Sequence, residues 1–277
     1  MNTGKWGPYG WTLTHSVAAN YPMKPTPLDK KTYKDFYMNL RFILPCIYCR
    51  QSFTEYLKKR PLTDVEMSNK QTLSKHHYDV HNLVNDKLRN QGHISYNDPA
   101  FGRIYKRYRT MKTSYSLPRI WNFIWAVTLN YTDSIEPVKK RHLKVYYRLF
   151  FEHLAYLFPG TQKQKRAFNC CWNRMKPHFN EYTKDCQSMA KFVYTLQMCM
   201  YSHLRMHISS SNRFYSLQKT YKFFEKWRAG CSKKTCRSPI NKNTGHGYAK
   251  PFQGYTYKDF TGPQEEHTTV KCMRCYN

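Results

Sequence analysis

Residues Pro45–Cys49 read Pro-Cys-Ile-Tyr-Cys, and His81–Asn85 read His-Asn-Leu-Val-Asn. Pro45 ends one helical pattern, and Cys46–Leu57 reads as the next helix with both cysteines in its first turn. Sulfurs at i and i+3 there reach disulfide distance. The unpaired amides and dipole of a helix start favour a thiolate, which thiol–disulfide exchange requires. His81 and Asn85 lie one turn apart on one face, with Val84 and Leu88 along its neighbour. Such a surface suits a planar ligand with polar edges. Two other readings stand beside these: the cysteines as half a zinc site completed by His76, His77 or His81, and the second segment as a solvated helix face.

Working outward, Trp11–Asn20 reads as a helix, and Pro22, Pro25 and Pro27 mark a connection. Tyr33, Phe36, Tyr37, Leu40, Ile43 and Leu44 recur at helical spacing and predict a helix over Leu28–Leu44. Pro61–Asn69 reads as a loop, and Leu73–Leu88 as a fourth helix packing through Val80, Leu83, Val84 and Leu88. The expectation is a four-helix unit without strands.

Past Pro118 a second helical region echoes the first. Trp121-x3-Trp125 with Asn130-Tyr131 follows Trp11-x3-His15 with Asn20-Tyr21, and Met189–Leu204 aligns with Leu73–Leu88. In this register Cys46 becomes Gly160, His81-Asn82 becomes Gln197-Met198, and Asn85 becomes Tyr201. The apolar frame survives while each polar position is lost, as in a degenerate repeat. Chance resemblance between helical segments is the competing reading.

The chain has 277 residues, with 46 Lys+Arg against 17 Asp+Glu and a net charge of +29. Charge of this size favours polyanionic surroundings, or serves solubility alone. No helix-turn-helix, RNA-binding signature or zinc-finger array accompanies it, so charge does not make the chain a reader of nucleic acid. No apolar run approaches the roughly 20 residues of a membrane span, and the N-terminus shows no secretory h-region. Of ten cysteines, Cys46/Cys49, Cys231/Cys236 and Cys272/Cys275 form spaced pairs. Cys170, Cys171, Cys186 and Cys199 lack clean metal spacing and read as small buried hydrophobes.

Trp11-x3-His15 with Tyr21-Pro22, Pro45-Cys46-x2-Cys49-Arg50 and His81-Asn82-x-Val84-Asn85-x2-Leu88 together resemble the Erv/ALR family of FAD-dependent sulfhydryl oxidases. Trp6-Gly7-Pro8-x2-Trp11 and Phe36-Tyr37-x2-Leu40 look most like members from large DNA viruses. The resemblance spans Trp6 to Leu88. It implies an Erv/ALR-type four-helix bundle, assigned to residues 1–112; the helical pattern past Pro118 and the composition of the tail add a second helical domain in 113–228 and a basic, loop-rich, Cys-containing tail in 229–277, for an all-α fold. The resemblance also implies FAD, held by Gly7, Trp11, His15, Tyr21, Cys49, His81, Asn82, Val84, Asn85, Lys87 and Leu88. Cys46 and Cys49 would be catalytic, Cys46 exposed to the incoming thiol and Cys49 against the flavin. Electrons would pass from protein dithiols to flavin and then to dioxygen, giving hydrogen peroxide. Cys272 and Cys275 would form a shuttle disulfide. A zinc site of Cys231, Cys236, Cys272 and Cys275 is the rival reading of the tail.

The resemblance further implies virion proteins as substrates, a place in the host cytoplasm or the virion, and either a homodimer or an intramolecular pseudo-dimer. Three departures stand out: Pro8 where cellular members carry arginine, His76 where a tryptophan is usual, and Arg89-Asn90 in place of Gly-Lys. Two alternatives of another class are a basic virion structural protein and a zinc-stabilised nucleic-acid-associated protein, each with an inactive oxidase-like module.

Overall fold

A computed structural model describes residues 3–131 and 137–228. They hold ten α-helices and one 3-10 helix: α1 (Thr3–Ala19), α2 (Pro27–Ile43), α3 (Ile47–Lys59), α4 (Lys70–Asn90), α5 (Phe101–Arg109), α6 (Thr113–Thr128), α7 (Pro137–Leu157), α8 (Gln162–Met175), the 3-10 helix Lys176–Thr183, α9 (Cys186–His203) and α10 (Leu217–Arg228). The all-α reading holds, and no helix among the described residues is long and apolar enough to cross a membrane.

Local chemistry sets the boundaries. Thr26 and Asp29 form a reciprocal capping box with Pro27 just inside α2, and Asn69 with Thr72 does the same for α4. α1 begins eight residues before the predicted start at Trp11, passing through Gly7-Pro8. Pro8 is the sixth residue of α1, past the first turn, so its missing N–H takes one bond from the ladder. Trp6 is buried on this extra turn, its ring 6.0 Å from that of Phe123. α5 is an addition to the four-helix expectation.

Within residues 3–109, α1 packs on α4, α2 on α3, α3 on α4, and α5 on both α1 and α4. Residues 113–228 repeat that list: α6 on α9, α7 on α8, α8 on α9, and α10 on both α6 and α9. The two sets meet as α1 against α6 and α2 against α7, each helix beside its own counterpart.

Individual contacts correspond as well. Tyr21 Oη donates to Met67 O at 2.9 Å, and Tyr131 Oη donates to Thr183 O at 2.8 Å. His15 and His81 share a hydrogen bond at 2.9 Å, while Trp125 Nε1 donates to Gln197 Oε1 at 2.8 Å. Tyr108 stacks on His15 with centroids 4.6 Å apart, as Phe224 stacks on Trp125 at 5.7 Å. His15 with His81 and Trp125 with Gln197 fall in the register read from the sequence; Met67 with Thr183 and Tyr108 with Phe224 carry the offset between Leu73 and Met189 beyond the segments aligned there.

The seam is tight and aromatic. Phe42 stacks on Tyr146 at 3.8 Å, and Asn39 Nδ2 donates to Tyr146 O at 2.8 Å. Gly10 lets α6 close on α1, because a Cβ there would lie 3.0 Å from Phe123 Cε2, a ring with no exposed surface. A Cβ at Gly7 would meet nothing within 4 Å. Gly10→Leu should therefore overpack the seam and cost about 1–3 kcal/mol, whereas Gly7→Ala should be neutral or stabilise by up to about 1 kcal/mol. Chemical denaturation of the two variants checks this.

Candidate functional site

The site is built where α3 and α4 meet α1. Cys46 is the N-cap of α3 with extended backbone, and Arg50 N–H donates to Cys46 O at 3.0 Å. Cys49 follows at the third helical position, so both sulfurs belong to the first turn as the spacing predicts. Their access is the reverse of the expected order. Cys46 is 3 % exposed and joins the core, whereas Cys49 is half-buried. An N-cap residue leaves the helix axis at the Pro45 turn, and here that turn carries its side chain inward. Tyr56 lies near enough that a thiolate at Cys49 raises its phenol, after burial and Asp86 have done so.

α4 faces this turn. Lys87 Nζ donates to Ser52 Oγ at 2.7 Å, and Ser52 stands one helical step beyond Cys49 on the same face. Trp11 of α1 stacks on His81 with centroids 3.7 Å apart and planes 13° from parallel. Thr14 Oγ1 donates to Gly10 O, so it accepts from His77 Nε2 at 2.7 Å, which places that proton on Nε2. Asn85 Nδ2 donates to Asp98 Oδ1 at 2.6 Å, and Arg89 Nη2 donates to Asp98 Oδ2 at 2.7 Å. The Arg89 bond foremost holds the Asp98 carboxyl below its ordinary range.

Asn82, Val84 and Leu88 are half-buried beside His81, and Gly7 is half-buried one turn before Trp11. Tyr21 stands apart: its hydroxyl is spent on Met67 O and its ring packs on Tyr33 at 4.6 Å. His76, in the departure position, bonds to Arg60 O at 2.8 Å. Under α5, a cleft about the size of one water molecule is lined by His15, Ala19, Ser74, Phe101, Ile104, Tyr105 and Tyr108. Ser74 Oγ is buried there without a hydrogen-bond partner. Sequence reasoning named His77 only as a possible zinc ligand and passed over Ser74, Asp98 and the α5 aromatics. The last had a signal, since Phe101, Ile104, Tyr105 and Tyr108 follow i, i+3, i+4, i+7 spacing.

In the second unit the corresponding surface is filled. Gln197, Met198 and Met200 have no exposed surface, Tyr201 is buried, and Trp125 takes the place of His15. Cys171 and Cys199 are disulfide-bonded between α8 and α9, which corrects their reading as small buried hydrophobes. Adjacency across two helices, with Cα atoms 5.9 Å apart, made the bond available, and linear spacing does not reveal it. His203 lies close to both sulfurs. Cys231, Cys236, Cys272 and Cys275 lie outside the described residues, so the shuttle and the zinc reading of the tail both go without structural description.

A helical bundle with a cysteine pair at one helix start and a cluster of indole and imidazole rings joining the neighbouring helix to α1 defines a thiol-redox class of protein. Residues 8–108 match the model of the Erv1 / Alr family. A protein of Acanthamoeba polyphaga mimivirus, named as a probable FAD-linked sulfhydryl oxidase, is 45% identical over 85 residues, 31% of this chain and 59% of that protein. The mitochondrial FAD-linked sulfhydryl oxidase of Saccharomyces cerevisiae is 36% identical over 83 residues, 30% of this chain and 42% of its own length. A protein of Invertebrate iridescent virus 6, provisionally named an FAD-linked sulfhydryl oxidase, is 33% identical over 87 residues, 30% of this chain and 78% of that protein. The chain belongs to the Erv1 / Alr family. It spans 59% and 42% of the first two of these relatives.

The imidazole cluster sets a pH limit. Burial, then His77, His81 and Arg107, holds His15 well below its ordinary value, and burial with His81 and His76 does the same for His77. Burial pushes His81 from 6.5 to about 4, against an upward pull from Asp98. The unfolded chain takes up protons near 6.5 that the native site refuses, so stability is full above that pH and falls as pH drops toward 4. His81 alone accounts for on the order of 3 kcal/mol. The denaturation midpoint should fall between pH 7.5 and pH 5, and His81→Asn should flatten that dependence.

Proposed function

We propose that the chain is an FAD-dependent thiol oxidase that forms disulfides in protein substrates. The placement of Cys46 and Cys49 at the start of α3, which α4 reaches through Lys87 and Ser52, together with the Trp11, His15 and His81 ring cluster that joins α4 to α1, carries this reading. The names of the viral and yeast relatives support it.

The residues fit the cofactor. The outer faces of the Trp11 indole and the His81 imidazole and the half-buried Asn82 carboxamide suit a planar ring system with polar edges. Trp11, His15, His81, Asn82, Val84, Asn85, Lys87 and Leu88 would hold it, with Gly7 at the rim. Neutral imidazoles offer both a donor and an acceptor, which protonated ones do not. When bound, FAD supplies the two-electron acceptor that a dithiol needs and reduces dioxygen to hydrogen peroxide.

The protein's own part is exchange. A substrate thiolate attacks Cys46 Sγ of the Cys46–Cys49 disulfide, which requires the Pro45 turn to swing this buried sulfur outward; that S–S bond breaks, and Cys49 departs as a thiolate stabilised by the α3 N-terminus. The second substrate thiol, as its thiolate, then displaces Cys46, leaving the substrate disulfide and both enzyme sulfurs reduced. The half-buried Cys49, on the same face as Ser52 and its Lys87 ammonium, suits the sulfur nearer the cofactor.

The second unit takes the place of a second subunit in this reading. Its five helices reproduce the packing list and three specific contacts of the first, and each seam helix lies beside its counterpart, as a two-fold pairing would give. Cys272 and Cys275, with Lys271 and Arg274 beside them, would relay electrons from bulky substrates. Virion proteins would be the substrates, in the host cytoplasm or the particle; the viral origin of two relatives is what suggests it. The basic surface would hold the enzyme near polyanions.

Purified protein should show flavin absorbance and consume oxygen with a dithiol. Cys49→Ala should retain the flavin and fall to background uptake, and uptake unchanged by that substitution would sink the mechanism. Sedimentation should give the mass of one chain. Removing Cys272 and Cys275 should slow turnover of a protein substrate several-fold while sparing a small dithiol; bound zinc in stoichiometric amount would favour the rival reading of the tail.

A further inference from the structure

One contact crosses from the second unit to the redox turn. The carboxamide of Asn130, two residues beyond α6, lies 3.0 Å from Pro45 O and 3.2 Å from Arg50 Nη1. The orientation that satisfies both has Nδ2 donating to Pro45 O and Oδ1 accepting from Arg50. Arg50 Nη1 also donates to Leu44 O at 3.1 Å. The guanidinium is thereby folded back over the start of α3, from the residue after Cys49 to the backbone two residues before Cys46. A cation at the positive end of a helix is unfavourable by itself. It becomes favourable once a thiolate develops there.

We propose that Asn130 is a positioning residue for the redox pair: it holds the Arg50 charge over the first turn of α3 and so stabilises the reduced, thiolate-bearing form of Cys46 and Cys49. The inference rests on these cysteines being the redox pair. Its repeat counterpart, Asn20, is exposed and bonds to Ser16 O, and the position matching Cys46 in the second unit is Gly160. The contact is therefore one-sided, made by the closed unit onto the unit with the chemistry.

The balance to measure is Cys46–Cys49 disulfide plus two glutathione thiols against the dithiol plus glutathione disulfide. It is read by mass spectrometry of alkylated full-length chain at fixed pH, so oxygen uptake plays no part. If Asn130 acts through Arg50, Asn130→Ala shifts the equilibrium toward the disulfide, roughly 3- to 10-fold. Asn130→Asp, which places a carboxylate against the guanidinium, shifts it the same way and further. In an Arg50→Met background, Asn130→Ala adds nothing.

A shift toward the dithiol would make Asn130 only a brace for the turn and overturn the proposal, as would no shift in variants whose thermal melts match the parent. The functional reading fails separately, through the Cys49→Ala oxygen measurement.

Discussion

The hydrogen bond between His15 and His81 joins α1 to α4, and the chemistry of the first unit is arranged around it. Two imidazoles can share such a bond only while neutral or singly protonated, and burial keeps both neutral. That bond sets the spacing at which Trp11 lies flat on His81 and Tyr108 lies flat on His15. It also aims α4 so that Lys87 reaches Ser52 beside the redox turn. A buried apolar pair in the same position would join the helices as well, but would leave no polar edge toward a ligand.

The second unit supplies that comparison within one chain. Trp125 and Gln197 make the corresponding bond, and both are fully buried. Phe224 covers Trp125, and α9 is apolar on nearly every side from Met189 to Tyr201, as expected of a helix enclosed by its neighbours. The contact that positions a ligand surface in one unit fills the core of the other. The frame is retained because it is one half of a packed interface, through α1 with α6 and α2 with α7, and that interface needs shape rather than reactive groups.

Much of this was legible in the sequence because it depends on local rules. Pro45 marks a helix boundary directly, and the i, i+3 sulfurs fix their own turn. The repeat register was readable from tryptophan and tyrosine positions, since large buried rings are the side chains a shared frame constrains most. What escaped lies in contacts between distant residues. The Cys171–Cys199 bond, the Asp98 bridge to Asn85 and the reach of Asn130 to Pro45 join residues with no sequence signature of pairing. The buried position of Cys46 belongs with these, because it depends on what packs over the Pro45 turn. α5 escaped for another reason: none of its residues is fully buried and its N-cap makes no side-chain bond, so the unused i, i+3, i+4, i+7 spacing was its one signal.

These observations connect the two units by a division of physical labour. An open ligand surface requires half-exposed groups on α1 and α4, which weakens the packing that would otherwise hold the redox turn. The second unit has no such surface, and its aromatic core of Phe151, Trp172, Phe179 and Phe192 is closed, with the Cys171–Cys199 bond holding α8 to α9. Rigidity lost on one side of the seam is thus available from the other, delivered through α6 to Asn130 and from there to Pro45 and Arg50. A unit with Gly160 at the position matching Cys46 can still brace the redox turn, because that task requires only a firm core and one well-placed carboxamide.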